Sequence, residues 1–305
     1  MITAPTAIRL NGVDCRTSKE FAIRDLAMSV PRGAVYGFLG PNGSGKTTAI
    51  RLLLGMLRAD AGTIEVLGHE ISRDAPAALA KIGYVPERSH LWPHLSVEET
   101  MRFHAAFFPR WDAARADALR QQFGLRPSQL VSALSKGENG KLMMLLALST
   151  QPELLVLDEP TDGLDPVVRR DVLQALVEYV GDKQATVLIS SHLVHEQERI
   201  CDWVGVLDQG KLIAEVPMQE FRSGIKRLRV HGAPRVHDAA PFTVLSRDDE
   251  FGRGETWVVR GWQDSHASWL TSSGASLREV EPLDLEESFV ELLRSGRGGA
   301  ATIER

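Results

Sequence analysis

The stretch GPNGSGKTT (Gly40 to Thr48) follows the pattern of glycine, any four residues, glycine, lysine and threonine, set by Gly40, Gly45, Lys46 and Thr47. Glycines such as Gly40, Gly43 and Gly45 let backbone N–H groups curl round an anion without Cβ clashes. Pro41, Asn42 and Ser44 lie between them, and Thr48 follows. A helix N-terminus after the loop adds positive partial charge. Lys46 can then reach the β- and γ-phosphates of a nucleotide, and the Thr47 hydroxyl can hold Mg2+. A second set of chemical groups closes the apolar run LLVLDEP (Leu154 to Pro160). Asp158 can support Mg2+ directly or through water, and Glu159 can orient or deprotonate an attacking water. Phosphoryl transfer needs positioning and charge neutralisation more than covalent help, so one carboxylate and one metal suffice.

The neighbouring segments supply the context these groups need. AVYGFLG (Ala34 to Gly40) is a short apolar run that predicts a buried strand, and KTTAIRLLLGML has helical spacing. A phosphate loop belongs between such a strand and such a helix. TIEVLG, KIGYVPE, LLVLDEP and ATVLIS are further strand candidates. VEETMRFHAAFF, DAARADALRQQFG, VVRRDVLQALVEYV and HLVHEQERICD are helix candidates. Strands alternating with helices predict an α/β fold, a mainly parallel sheet with helices on both faces. After about Arg222 the composition shifts to short alternating segments (KRLRVHG, PFTVLSRDDEF, ETWVVRGW) and the helical stretches SHASWLTSSG and LEESFVELLRSG. Residues 1–222 are therefore expected to form the nucleotide-binding domain, and residues 223–305 a small α+β C-terminal domain.

Bulk properties narrow the class. Hydrophobic residues make up 43% of the 305 and charged residues 25%, an ordinary globular composition. Thirty-five basic residues against forty acidic ones give a net charge of −5, which argues against a nucleic-acid partner. Two cysteines, Cys15 and Cys201, cannot build a disulfide framework and fit a reducing compartment. The first residues do not read as a signal peptide, and the longest apolar runs fall short of the ~18 residues a membrane span needs. His192 and His195 could pair on a metal, but no third ligand accompanies them, and Glu196 is expected to face solvent.

The remaining signals come in a telling order: GYVPE (Gly83 to Glu87), LSKGE (Leu134 to Glu138), TDGLDP (Thr161 to Pro166) and LISSH (Leu188 to His192). Together with the two motifs above, they make residues 7–220 resemble the ATP-binding subunit of an ABC transporter, of the bacterial exporter type that includes antibiotic and multidrug exporters. FFPRWD and the closing PLDLEESFVELL are similar to segments of exporter subunits with a small C-terminal domain. The resemblance implies a P-loop NTPase fold with a helical subdomain at about 90–145, and an ATPase using ATP and Mg2+. His192 would be the switch histidine that senses the γ-phosphate, and Asp165 would couple the two ATP sites. Ser135, Lys136, Gly137 and Glu138 would be the signature facing ATP held by another subunit. Partners would be an integral-membrane permease and a second copy or paralogue, which places the chain at the cytoplasmic face of the membrane. Export of a drug, antibiotic or lipid-like substrate is the reading, with import as the alternative. A soluble relative acting on ribosomes or nucleic acid fits less well, since the chain has one motif set and no heptad run.

Three positions depart from the family pattern. Glu87 stands where a glutamine usually links Mg2+ to the permease; a carboxylate there can still coordinate the metal. Thr17 falls where an aromatic ring usually stacks on adenine, with Phe21 a nearby substitute. The signature reads LSKGE, so Lys136 either adds a cation near the γ-phosphate or points to solvent. Gly140 is costly inside a helix, by about 1 kcal/mol relative to Ala, so the signature helix is expected to settle only after it. Trp92 and Phe107 are expected in the core of the helical subdomain rather than lining a docking groove.

Overall fold

The computed structural model describes residues 5–18, 21–232, 240–249 and 254–298. The chain opens with β1 (Thr6–Arg16), β2 (Ala22–Pro31) and β3 (Val35–Leu39), then α1 (Lys46–Leu53). Next come β4 (Ala61–Val66), β5 (His69–Glu70), α2 (Ile71–Leu79) and β6 (Ile82–Val85). Three helices follow, α3 (Val97–Ala105), α4 (Ala113–Gln122) and α5 (Lys136–Ser149). Then β7 (Leu154–Asp158), α6 (Pro166–Lys183), β8 (Thr186–Ser191), α7 (Val194–Gln197), β9 (Trp203–Asp208), β10 (Lys211–Pro217) and α8 (Met218–Gly224) complete the larger unit. The C-terminal part holds β11 (Ile225–His231), β12 (Thr243–Asp249), β13 (Glu255–Arg260), α9 (Ala267–Ser272), β14 (Ser276–Pro282) and α10 (Leu285–Gly298).

A six-stranded sheet in the order β10-β9-β3-β8-β7-β6 forms the centre. All its pairings are parallel except β9 with β10. Every residue of β7 and of β8 is buried, because helices or a second sheet cover both faces; such strands read as unbroken apolar runs. Alternation along β7 sorts its side chains. Leu155 and Leu157 join the cluster with α5 and α6, while Leu154 and Val156 join the cluster with α1, β1 and β2.

That second cluster exposes what the sequence reading lacked. One face of the central sheet is shared by α1 and an antiparallel four-stranded sheet, β2-β1-β4-β5. β1 and β2 were not among the predicted strands. β1 has the alternation of a half-buried strand, but register shifts between Leu10 and Val13 and between Val13 and Cys15 break its period.

Three expectations about helices change. The predicted helix HLVHEQERICD shrinks to the single turn α7. The signature helix α5 does not wait for Gly140: it starts at Lys136, where Ser135 and Glu138 form a reciprocal capping box. Gly140 is buried in the second turn, where an added Cβ would meet the Leu164 methyls at an ordinary contact distance of 3.6 Å. Trp92 and Phe107 are not core: they are 55% and 67% exposed.

The C-terminal strands form an antiparallel sheet, β12-β13-β11-β14, with its own apolar cluster around Trp257, Phe242 and Trp262. The strand SLREVEP (β14) was not predicted, because its charges mask the alternation. The expected boundary at 222/223 falls inside α8. Helix α10 then returns to the larger unit. Its Leu285, Phe289 and Leu292 belong to the same apolar cluster as Leu39, Val194 and Val206. Arg297 forks onto the buried Asp208 at 2.8 and 2.9 Å. Phe289→Ala should therefore cost about 3–5 kcal/mol. Chemical denaturation followed by both ATP-site and tryptophan signals should show the two falling together; an unchanged ATP-site transition would contradict this packing.

Candidate nucleotide site

Parallel strands deliver their following loops to one edge of a sheet, where ligands of such folds sit. Here β3 leads into Gly40, β6 into Glu87, β7 ends at Asp158, and β8 is followed by His192. The result is a cleft of 590 Å3 lined by residues 41–48 with Thr17, Phe21, Glu87, Glu159, Asp162 and His192.

Lys46 is 6% exposed and curls back over its own loop. Its Nζ donates to the Gly40 carbonyl at 2.7 Å and pairs with Glu159 Oε1 at 3.1 Å. The other carboxylate oxygen of Glu159 lies 2.9 Å from His192 Nδ1. Glu159 thus bridges the loop cation and the histidine. Its backbone sits at φ 47°, an uncommon conformation for a non-glycine residue.

Ser190 holds that conformation. Its hydroxyl donates to Asp158 Oδ1 at 2.7 Å and accepts the Glu159 backbone N–H at 2.9 Å. Nothing local signals the role of Ser190, because both partners lie 31–32 residues away.

The donor set fits a hard divalent cation. Asp158 is fully buried, yet its Oδ2 has no hydrogen-bond partner among the described residues. A buried carboxylate oxygen left without a partner is costly unless a ligand satisfies it. The Thr47 hydroxyl and the Glu87 carboxylate line the adjacent cleft, giving an oxygen-only set of the kind Mg2+ prefers.

Thr17 and Phe21 both line the cleft. The Phe21 ring packs over Gly45, at φ 112°, where an added Cβ would come within 2.7 Å of the ring. The aromatic surface is therefore present, four residues later than the family pattern puts it.

The signature residues lie elsewhere. Ser135, Gly137 and Glu138 do not line this cleft; Ser135 and Lys136 line an adjoining cavity of 450 Å3 that shares Glu87, Glu159 and Asp162 with it. Ser135 Oγ accepts the Glu138 N–H at 3.2 Å, and Glu138 takes the Ser135 N–H at 2.8 Å. That backbone N–H holds the Glu138 carboxyl below the usual range. Gly137 lets α5 approach α6, since a Cβ there would press the Val168 methyls at 3.2 Å. Lys136 Nζ pairs with Asp162 at 3.3 Å, a mostly exposed contact. Asp165 caps α6, accepting from Val167 and Val168 at 3.0 Å, and lies outside both cavities. Glu196 is not solvent-facing as expected; it is 7% exposed and bonded to Thr161 and Arg169.

Comparison with known proteins gives concordant results. A family model described as ABC transporter matches residues 23–162. The bacitracin transport ATP-binding protein BcrA of Bacillus licheniformis is 32% identical, covering 96% of this chain and 99% of that protein. The daunorubicin resistance ATP-binding protein DrrA3 of Streptomyces coeruleorubidus is 37% identical, covering 72% of this chain and 71% of that protein. Among solved structures, an ATP-binding subunit of an ABC transporter superposes with a TM-score of 0.65 at 27% identity, covering 71% of this chain and 92% of the other.

Ser190→Ala would leave both the Asp158 oxygen and the Glu159 N–H without their buried partner. It should cost about 1–3 kcal/mol in denaturant unfolding. It should also slow ATP turnover while leaving nucleotide affinity close to wild type, as read by fluorescent-nucleotide titration.

Proposed function

The chain belongs to the ATP-binding subunits of ABC transporters, and on that premise we propose that it hydrolyses ATP to drive a separate permease of the exporter type. The observation that carries the assignment of residues is the convergence of four parallel strand ends on one cleft, with the signature serine outside it.

Lys46 and the N–H groups of the loop from Gly40 to Thr48 cradle the phosphates, and Phe21 stacks on adenine. Thr47, Asp158 and Glu87 would hold Mg2+, which would supply positive charge against the charge developing on the phosphates. On ATP binding, Lys46 exchanges Glu159 for phosphate oxygens. Glu159 is then free to orient water and accept its proton, while His192 contacts the γ-phosphate.

One chain does not complete its own site. Ser135 and Gly137 open α5, and a helix N-terminus with its N–H groups and a hydroxyl suits a phosphate. In this reading they meet ATP bound to a second copy or a paralogue, and Asp165 couples the two sites.

Among the described residues no helix is long and apolar enough to cross a membrane. Docking at the cytoplasmic face then falls to a groove of 550 Å3 in the helical subdomain, lined by Met56, Leu91, Trp92, Phe103 and Phe108 among others. Exposed Trp92 and Phe103, at 55% and 48%, suit an apolar helix of a permease. The exporter relatives point to a drug, antibiotic or lipid-like cargo chosen by that permease. The described residues after 222 form an accessory unit that braces the nucleotide domain through α10.

Glu159→Gln should retain ATP binding and lose at least about 100-fold in turnover in a phosphate-release assay. Wild-type turnover in that variant would remove the role given to Glu159. Ser135→Arg should abolish hydrolysis while monomer affinity for ATP stays within about twofold; equal loss of both would make the signature segment structural only.

A further inference from the structure

The segment after His192 is tied down in a way that the roles above do not use. Glu196, in the single turn α7, is 7% exposed. Its Oε2 accepts the Thr161 hydroxyl at 2.9 Å, and its Oε1 pairs with the guanidinium of Arg169. The same guanidinium donates to the Leu164 carbonyl at 3.3 Å. Val194, two residues earlier in the same turn, is buried in the cluster that also contains Leu164.

These contacts run beside the active pair. His192 touches Glu159 at 2.9 Å. Glu196 lies four residues beyond His192, and Thr161 two residues beyond Glu159. The bond between Glu196 and Thr161 therefore sets the spacing of the two segments that bring histidine and carboxylate together. A buried carboxylate is costly to desolvate, and this one is sustained by the Thr161 hydroxyl on Oε2 and the Arg169 charge beside Oε1. So held, the charge also fixes geometry, since moving α7 away would strand Glu196 and Arg169 together. α7 has too few residues to hold its own position by helical bonding.

From these contacts we infer that Glu196 is a positioning residue for ATP hydrolysis: through Thr161 and Arg169 it holds His192 against Glu159. The inference rests on the roles proposed above for His192 and Glu159. Removing the charge at Glu196 loosens the histidine and slows chemistry, while the phosphate loop, which Glu196 does not touch, keeps its affinity for nucleotide.

The test uses the purified full chain and single-turnover hydrolysis of radiolabelled ATP, which resolves slow residual rates. Glu196→Gln should lower the rate about tenfold or more, as a displaced catalytic group does. ATP affinity should change by less than about twofold. In a His192→Ala background the same change should add less than about twofold, because its effect runs through the histidine. Arg169→Gln reaches the link from its more exposed side and should reproduce the loss, with Arg169→Lys milder. This second pair of variants decides the matter if Glu196→Gln does not fold. An unchanged rate, or a loss that multiplies fully with His192→Ala, would overturn the inference while leaving the function standing. Wild-type hydrolysis in His192→Ala alone would instead remove the role of the histidine, and this inference with it.

Discussion

The carboxylate of Glu159 is the point on which the site turns. It is nearly buried, at 11% exposure, and it is shared between Lys46 at 3.1 Å and His192 at 2.9 Å. A charge so placed is sustained by its partners rather than by water. It ties the phosphate loop after β3, the acidic end of β7 and the histidine after β8 into one unit before any nucleotide arrives. The parallel order β3-β8-β7 makes this possible by setting the three strand ends side by side. The positive φ of Glu159 turns its side chain into the cleft, and the Ser190 hydroxyl on the middle strand holds its backbone there. An incoming γ-phosphate brings negative charge to the place where Glu159 now neutralises Lys46, so binding and release of the carboxylate are one electrostatic exchange.

The phosphate loop, Asp158, Glu159 and His192 were legible in the sequence because each motif is contiguous and sits directly after an apolar strand. Their residue types speak for themselves at short range. What escaped notice is held by distant partners. Ser190 reads as one more residue of a strand until Asp158 and the Glu159 N–H, across the neighbouring strand, give its hydroxyl two bonds. Glu196 reads as a solvated helix residue until Arg169 and Thr161 enclose it. In the antiparallel sheet, TIEVLG showed β4, but β1 and β2 were missed for a related reason: bulges between them interrupt the period-two signal on which a local reading depends. Trp92 and Phe107 misled in the opposite direction, since apolar types imply core only where something covers them.

The C-terminal unit bears on the same site from behind. Asp208, at the end of β9, takes both bonds of the Arg297 fork, and two residues later the Gly210 N–H donates to the Ser44 carbonyl in the phosphate loop at 2.8 Å. At the other end of α10, Glu286 meets His195 at 3.2 Å on the short helix after the switch histidine. One helix therefore contacts segments beside both the phosphate loop and the histidine. The exposed pair at Glu286 contributes little by itself, whereas the fork on the 5%-exposed Asp208 and the buried Phe289 and Leu292 give the brace its strength. The family motifs end before this region, so sequence motifs alone made it look like an appendix.

The signature segment carries the proposal that a second subunit completes the site. Its helix begins at Lys136, capped by Ser135 and Glu138, and Gly137 lets it pack closely on α6. The cap satisfies one N–H with the serine oxygen, but the serine proton and the remaining N–H groups of the first turn still face outward. Within this chain the Glu138 carboxylate already sits on the helix end, while Asp162 pairs with Lys136. Both partners of that pair are about half exposed or more, so the contact is weak and readily exchanged. Lys136 thus neither faces a phosphate nor points freely to solvent in the isolated chain. A second subunit carrying ATP would compete with Asp162 for the lysine and offer a phosphate to the helix end at once.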